Sequence, residues 1–409
     1  MTRPATQSWL RWPLLAVATL SALTVVAALI TVTLPLPLGV ADAREAPVLE
    51  RRIRDFTMAW LDSADTARYD GFTYSVDMGQ LLIYAAQAND RAMYDRLRRW
   101  AIDNVILNDP QDPFTRGMVV WRHKPGVAPD ASGTTEALRI ARGLWLGARA
   151  FDQPDDRDLA ILIVHAYAGH QWSDQGVWMI RNYFNLGDPT KPGRPGRHYV
   201  TNSFLIDYDP DFVAEVARAT DDATLREVAQ MSYNLVHNAG TPCGLLYDMI
   251  QPEVMTLMPG NGGIFSPNDQ IQLSNPATIA ECSTGGAPDV GRRVLDFALR
   301  RRHGLKAYYW GRTGEPQGIK PPGYETYAPL LRLAVKLNDR RAIAAMTPPL
   351  LIHARHYADQ RYEPRLHAAS EILLALRAIG PPPPVPPPAT APAPLPPEEQ
   401  PWMNADERG

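Results

Sequence analysis

Between Phe72 and Trp100 the chain reads FTYSVDMGQLLIYAAQANDRAMYDRLRRW, two helices joined by a turn at Ala88-Asn89-Asp90. The first is predicted to start at Ser75, a residue type whose hydroxyl accepts from the free N–H groups of a helix end. The second places Met93, Leu97, Trp100 and Ala101 on one face, at the spacing of a buried helical stripe. An apolar stripe of this kind has to be covered by other elements, and the rest of the chain supplies them in the same form. Helical periodicity is predicted over residues 47–62, 134–151, 156–170, 173–184, 211–219, 222–237, 288–302, 324–337, 340–353 and 366–379. Residues 240–287 form a long Gly/Pro/Asn-rich excursion with room for short strands. The total is about twelve helices with almost no alternating strand pattern, so the expected fold class is all-α. The expected form is a double ring of helical hairpins, an (α/α)6 barrel, with loops at one end lining a cleft.

Composition narrows the function classes. The 409 residues carry a formal net charge of −3 with acids and bases interspersed, which offers no nucleic-acid footprint. Neither a metal-binding spacing nor a nucleotide fingerprint occurs, and His165 and His170 are not in an HExxH arrangement, so no cofactor or metal is expected. Two cysteines, Cys243 and Cys282, leave a single disulfide or two free thiols open. Arg3 and Arg11 precede an uncharged span whose apolar core, 14–32, has about the length a bilayer requires. Residues 1–43 are therefore expected to be a membrane anchor or a cleaved signal peptide, with Ala41-Asp42-Ala43 as a small-residue cleavage site. Either way residues 44–380 face the exterior or periplasm. Residues 381–409, PPPPVPPPATAPAPLPPEEQPWMNADERG, are a Pro-rich tail, either a solvated spacer or a ligand for a partner.

Four segments, in order, resemble glycoside hydrolase family 8, the bacterial endoglucanase and cellulase group. YSVDMGQLLIYAAQANDRAMYDRLRRWAIDNV is similar to the family's Ser-Glu-Gly-Gln helix with its Ala-Asn-Asp turn. MVVWRHKPGVAPDASGTTEALRIARGLWLGA is similar to its Trp-Arg segment and acidic motif, and YVTNSFLIDYDPDFVAEVARATDD to its Asn-Pro-Ser-Tyr segment. APDVGRRVLDFAL is similar to the Tyr-Asp-Ala-x-Arg helix. The resemblance implies an (α/α)6 barrel and inverting hydrolysis of a β-linked polysaccharide. The sequence departs from it at the chemistry: ungapped counting from Asn89 sets Val76, not Asp77, on the family's glutamate. Thr134, Thr135 and Glu136 stand where its second motif is rich in aspartate.

Inverting hydrolysis needs a protonated carboxyl at the leaving oxygen and an ionised one that activates water. Asp77, at the entrance of the first helix, is the expected acid. Asp289, on the aspartate of the fourth segment, is the expected base, and Glu136 assists. Each has a structural alternative: dipole partner for Asp77, ion pair with Arg292 or Arg293 for Asp289, helix cap for Glu136 and Asp130. Asp130, Trp121, Arg122, Asn202 and Tyr324 are the expected substrate-binding residues. Trp172, Trp178, Tyr183, Tyr308 and Trp310 are further rings that could meet a sugar face or simply pack in the core. The reading is of an extracytoplasmic glycoside hydrolase, serving exopolysaccharide synthesis or turnover. A non-catalytic glycan-binding relative, or a lyase or epimerase on the same helices, stands as the alternative.

Overall fold

In the computed structural model the described residues are 43–174, 177–187, 196–250, 269–361 and 363–380. The N-terminal uncharged span and the Pro-rich tail lie outside them. No helix among the described residues is long and apolar enough to cross a membrane.

One local device recurs at the helical turns. Asn89, Asp152, Asp221 and Asn338 adopt left-handed φ of 56°, 53°, 55° and 52°, a conformation that short polar side chains tolerate. The residue after three of them is an aspartate that caps the next helix. Asp90 accepts from the Met93 N–H at 3.2 Å, Asp222 from Leu225 at 2.9 Å and Asp339 from Ala342 at 2.9 Å. The chain is thereby reversed four times in the same way, each time joining an inner helix to an outer one.

Among the described residues there are twelve helices. Helix α1 (Ala46–Ser63) is an outer helix that packs on the last inner one. The other pairs are α2 (Ser75–Gln87) with α3 (Arg91–Asn104), α4 (Thr134–Phe151) with α5 (Pro154–Ala168), and α6 (Pro210–Thr220) with α7 (Ala223–Asn238). They continue with α8 (Ser274–Glu281) and α9 (Pro288–Arg300), then α10 (Tyr324–Lys336) and α11 (Arg340–Gln360), and end on α12 (Arg365–Ile379). The inner ring runs α2, α4, the 3-10 turn Leu205–Asp207 leading into α6, then α8, α10, α12 and back to α2. This is the expected (α/α)6 barrel.

Close approach inside the ring depends on glycine. A Cβ on Gly79 of α2 would lie 2.8 Å from Cβ of Arg139 and 3.0 Å from the α4 backbone, and one on Gly143 of α4 would lie 2.7 Å from Cγ of Leu82. Gly79→Ala therefore has to push α2 and α4 apart, at a cost of about 1–3 kcal/mol. Urea denaturation should show it as a lower midpoint with an unchanged slope.

Two expectations are corrected. Residues 173–184 were expected to be helical. The described residues among them contribute instead to the antiparallel pair β3 (Gln171–Asp174) and β4 (Val177–Ile180), in the register Trp172 to Met179, and to β5 (Phe184–Asn185). Val177 and Met179 are buried while Trp178 between them is partly exposed, a period-two pattern that overrides the helical one. Conversely α8 arises inside the excursion. It is short and buried nearly all round through Ala277, Thr278, Ile279 and Ala280, so it has no polar face to betray its period. Cys243 and Cys282 are free thiols; Arg139 Nη1 stands 3.5 Å from the buried Cys282 sulfur.

Candidate active site

The inner helices begin at one end of the barrel, and the polar segments entering them meet there. Strand β1 (Thr73–Tyr74) pairs with β2 (Arg122–His123), setting Tyr74 opposite Arg122. The Ser75 N–H donates to the Trp121 carbonyl at 3.1 Å, and the Gly133 N–H to the Val119 carbonyl at 2.8 Å. These bonds fix the 118–133 segment across the entrances of α2 and α4. Beside it opens a cavity of about 430 Å3, lined by Trp121, Asp130, Ala131, Ser132, Gly133, Thr135, Glu136, Asn182, Tyr183 and Asn185. Its size is that of a small-ligand site.

One wall is an ordered aromatic and ionic layer. Trp121 Nε1 donates to Asp130 Oδ1 at 2.7 Å, and Arg122 Nη2 donates to Asp130 Oδ2 at 3.1 Å. The Arg122 guanidinium lies between the Phe72 and Trp121 rings, 4.1 Å from each centroid, and Tyr74 meets Trp121 edge-on at 5.6 Å. Asp70 accepts from the Tyr74 hydroxyl at 2.7 Å, and its carboxyl is held below the usual range by that bond and by Arg122. Such a wall presents a preorientated indole and a fixed carboxylate to a polar ligand.

Glu136 lies on the floor, with the carboxyls of Asp207 and Asp77 close behind it. Glu136, in the first turn of α4, reaches the cavity, and among the described residues no ion pair or side-chain hydrogen bond engages it. Burial, reinforced by the nearby Asp207 and Asp77, pushes its pKa up to about 8. Asp207 accepts from the hydroxyls of Thr134, at 3.1 Å, and Thr135, yet burial still raises it to about 7. Asp77 behaves in the opposite way. It is 2% exposed, takes two bonds from Arg68 (2.6 and 2.9 Å), and stands 3.2 Å from His367 Nδ1. Although burial acts to raise it, His367 and Arg68 together hold it below the usual carboxylate range.

The structure thus brings Asp77 and Glu136 together in opposite electrostatic settings. Asp77 is a buried carboxylate paired with Arg68 and His367 and held below the usual range, a setting unlike that of the general acid expected there. Asp289 is not part of the group. It sits half-exposed on the first turn of α9, where Arg293 Nη1 is 2.7 Å away and His237 Nδ1 3.7 Å, and neither partner lines the cavity. Its geometry is that of the ion-pair alternative. Trp121 and Asp130 line the cavity and Arg122 backs them. Asn202 does not line it; its carbonyl accepts from the N–H of Asn182, which does. Tyr324 packs edge-on to His367 at 6.0 Å, behind the Asp77 cluster. Of the other rings, Tyr183 reaches the cavity; Trp172, Trp178, Tyr308 and Trp310 do not line it. Asp207 and Asn182 went unnoticed in the sequence because each lies in a loop whose partner is distant. The only local sign was the run of acids in LIDYDPD.

Gly133 shapes the floor. A Cβ there would fall on Glu136 Oε2, the free end of a flexible side chain. Gly133→Ala is expected to swing the carboxyl away while the fold survives. The measurement is a carboxyl titration by NMR, in which the elevated Glu136 value should move toward the ordinary range.

No protein-family model matches the sequence, and no curated protein is detectably similar to it. Solved structures are. A β-1,3-1,4-glucanase from Paenibacillus sp. X4 matches with a TM-score of 0.58 at 14% identity, covering 82% of this chain and 92% of that one. A family 8 glycoside hydrolase from Teredinibacter turnerae, solved with xylobiose, matches at 0.52 and 16%, covering 76% and 82%. A protein described as a novel α-amylase from Clostridium perfringens matches at 0.57 and 14%, covering 75% and 86%. The fold shared with these structures is the (α/α)6 barrel. Within that fold the structure is a divergent likeness of glycoside hydrolase family 8, in agreement with the four segments of the sequence.

Proposed function

We propose that the protein is an extracytoplasmic glycoside hydrolase acting on a β-linked polysaccharide, with Glu136 as general acid. The observation that carries this is Glu136 itself: a carboxyl with no ion pair among the described residues, at the floor of a cavity walled by Trp121 and Tyr183. A carboxyl raised to about 8 is protonated at neutral pH and can donate to a leaving glycosidic oxygen. Asp130, lining the same cavity and held by Trp121 and Arg122, takes the part of the base. It would draw a proton from the water that attacks the anomeric carbon, and that carbon would invert. The family likeness favours β-glucans and xylans as the first substrates to try. The test is release of reducing ends from mixed-linkage β-glucan and xylan, with the product anomer followed by NMR. An inverted product supports the reading; a retained anomer excludes this mechanism.

A second reading is favoured by one observation. The pair expected from the motifs, Asp77 and Asp289, is engaged in ion pairs in separate places, which suits a barrel that binds glycan without cleaving it. Glycan binding without any new reducing ends is its distinguishing result.

The placement outside the cytoplasm rests on the sequence of residues 1–43. Protease added to intact spheroplasts should degrade the barrel while leaving cytoplasmic markers intact. A barrel that becomes accessible only after lysis would refute that location.

A further inference from the structure

At the other end of the barrel, where the inner helices finish, a second cavity of about 440 Å3 opens among α2, α4, α10 and α12. Its lining is dominated by cations: Arg139, Arg142, Arg332, Lys336 and Arg377, with Glu281 as the one carboxylate among them. Part of this charge is neutralised internally. Arg142 Nη1 stands 2.5 Å from Asp209 and Arg139 Nη1 stands 3.6 Å from that same oxygen, so one carboxylate serves two guanidiniums. Arg332 bridges Glu281 at 2.9 Å and Glu371 at 2.8 Å.

The remaining two cations are poorly matched. Arg377 reaches Glu50 only at 3.5 Å, and its Nη2 is buried without a hydrogen-bond partner among the described residues. Lys336 Nζ donates at 2.7 Å to the Glu281 carbonyl, a neutral oxygen. A guanidinium donor left unsatisfied inside a protein is costly and calls for a partner. Ile83, Val335 and Leu374 supply an apolar side to the same cavity.

We infer that this basal cavity is a binding site for a small phosphorylated molecule. The five cations outnumber by one the carboxylates that face them, Asp209, Glu281, Glu371 and Glu50; Arg377 and Lys336, the two without a close carboxylate, suit an anionic ligand, and a guanidinium fork matches phosphate oxygens two at a time. The cavity volume fits a diphosphate with a small organic group. The apolar side would cover the organic part. The two cavities share no lining residue: Arg332, Lys336 and Arg377 come from the later turns of α10 and α12, while Arg139 and Arg142 lie about one and two turns beyond Glu136 on α4.

The experiment is calorimetric titration of the full chain with pyrophosphate, with uridine diphosphate, and with citrate as a phosphate-free trianion. Saturable one-to-one binding of both phosphates, with citrate weaker, is the expected result. Lys336→Gln, at an exposed position, and Arg377→Gln should each weaken it about tenfold or more, as for the loss of a charge-assisted hydrogen bond. Glu136→Gln should leave it unchanged, so this result and the glycosidase reading stand or fall independently. Absence of saturable binding, equal binding by folded Lys336→Gln, or a preference for citrate would each overturn the proposal.

Discussion

Replacement of Glu136 by glutamine is expected to lower the rate of β-glycan hydrolysis by about a hundred- to ten-thousandfold, the usual contribution of a positioned general acid. Glutamine keeps the shape of the side chain and withholds the proton, so glycan binding to the Trp121 wall should persist. The pH dependence follows from the raised pKa. Wild-type activity should fall as pH rises through about 8, where Glu136 loses its proton, and the residual activity of the variant should lack that limb. Stability gives an independent reading. A carboxyl whose folded pKa lies above its unfolded value costs the fold stability as pH climbs from the ordinary value, 4.5, toward about 8. Glutamine has no such ionisation, so Glu136→Gln should melt higher than wild type above pH 8. An equal loss of stability and activity at every pH would mark Glu136 as a structural residue.

Asp77→Asn is expected to act in the opposite sense, on the fold first. The substitution leaves Arg68 and His367 without the buried carboxylate that both approach. Breaking a buried pair from one side costs about 3–5 kcal/mol, because the remaining charge is uncompensated. The pH window follows from the two shifts. Asp77 is depressed, so its contribution is present above the ordinary carboxylate value and is lost as pH falls through the folded one. His367 is raised by Asp77 against the effect of burial, so its contribution is complete below the ordinary imidazole value and is lost as pH rises through the folded one. The stability gap between wild type and variant should therefore be widest between about pH 4 and 6.5. It should close at lower pH and narrow, with Arg68 still paired, at higher pH. Chemical denaturation at several pH values measures it; a variant as stable as wild type with abolished hydrolysis would return Asp77 to the chemistry.

These two residues show how far local reasoning carried the site. Both lie in the first turn of an inner helix, and both were visible as helix-entrance carboxylates. What separates them is the partner. Arg68 lies nine positions before Asp77 and His367 lies on the last helix, so the ion cluster that fixes Asp77 is assembled only when the ring closes. Glu136 has no such partner among the described residues. It is left with Asp207, which comes from a loop about seventy residues further on and has no helical period to announce it. Asp289, the expected base, lies at a helix start where the i,i+4 contact with Arg293 engages it away from the cavity.

The sequence by itself determined the barrel. Helical stripes, the turn at Asn89-Asp90 and the near absence of strand alternation are local properties, set by side-chain sterics and hydrogen bonds within a few residues. They placed α4 at its observed limits and most other helices within a few residues. Tertiary structure alone decided the two places where a burial pattern contradicted or concealed the local one, the β3–β4 hairpin and α8. It also decided which carboxyls are charged. Ionisation depends on desolvation and on charges brought from distant parts of the chain, and neither is a property of a short stretch of sequence.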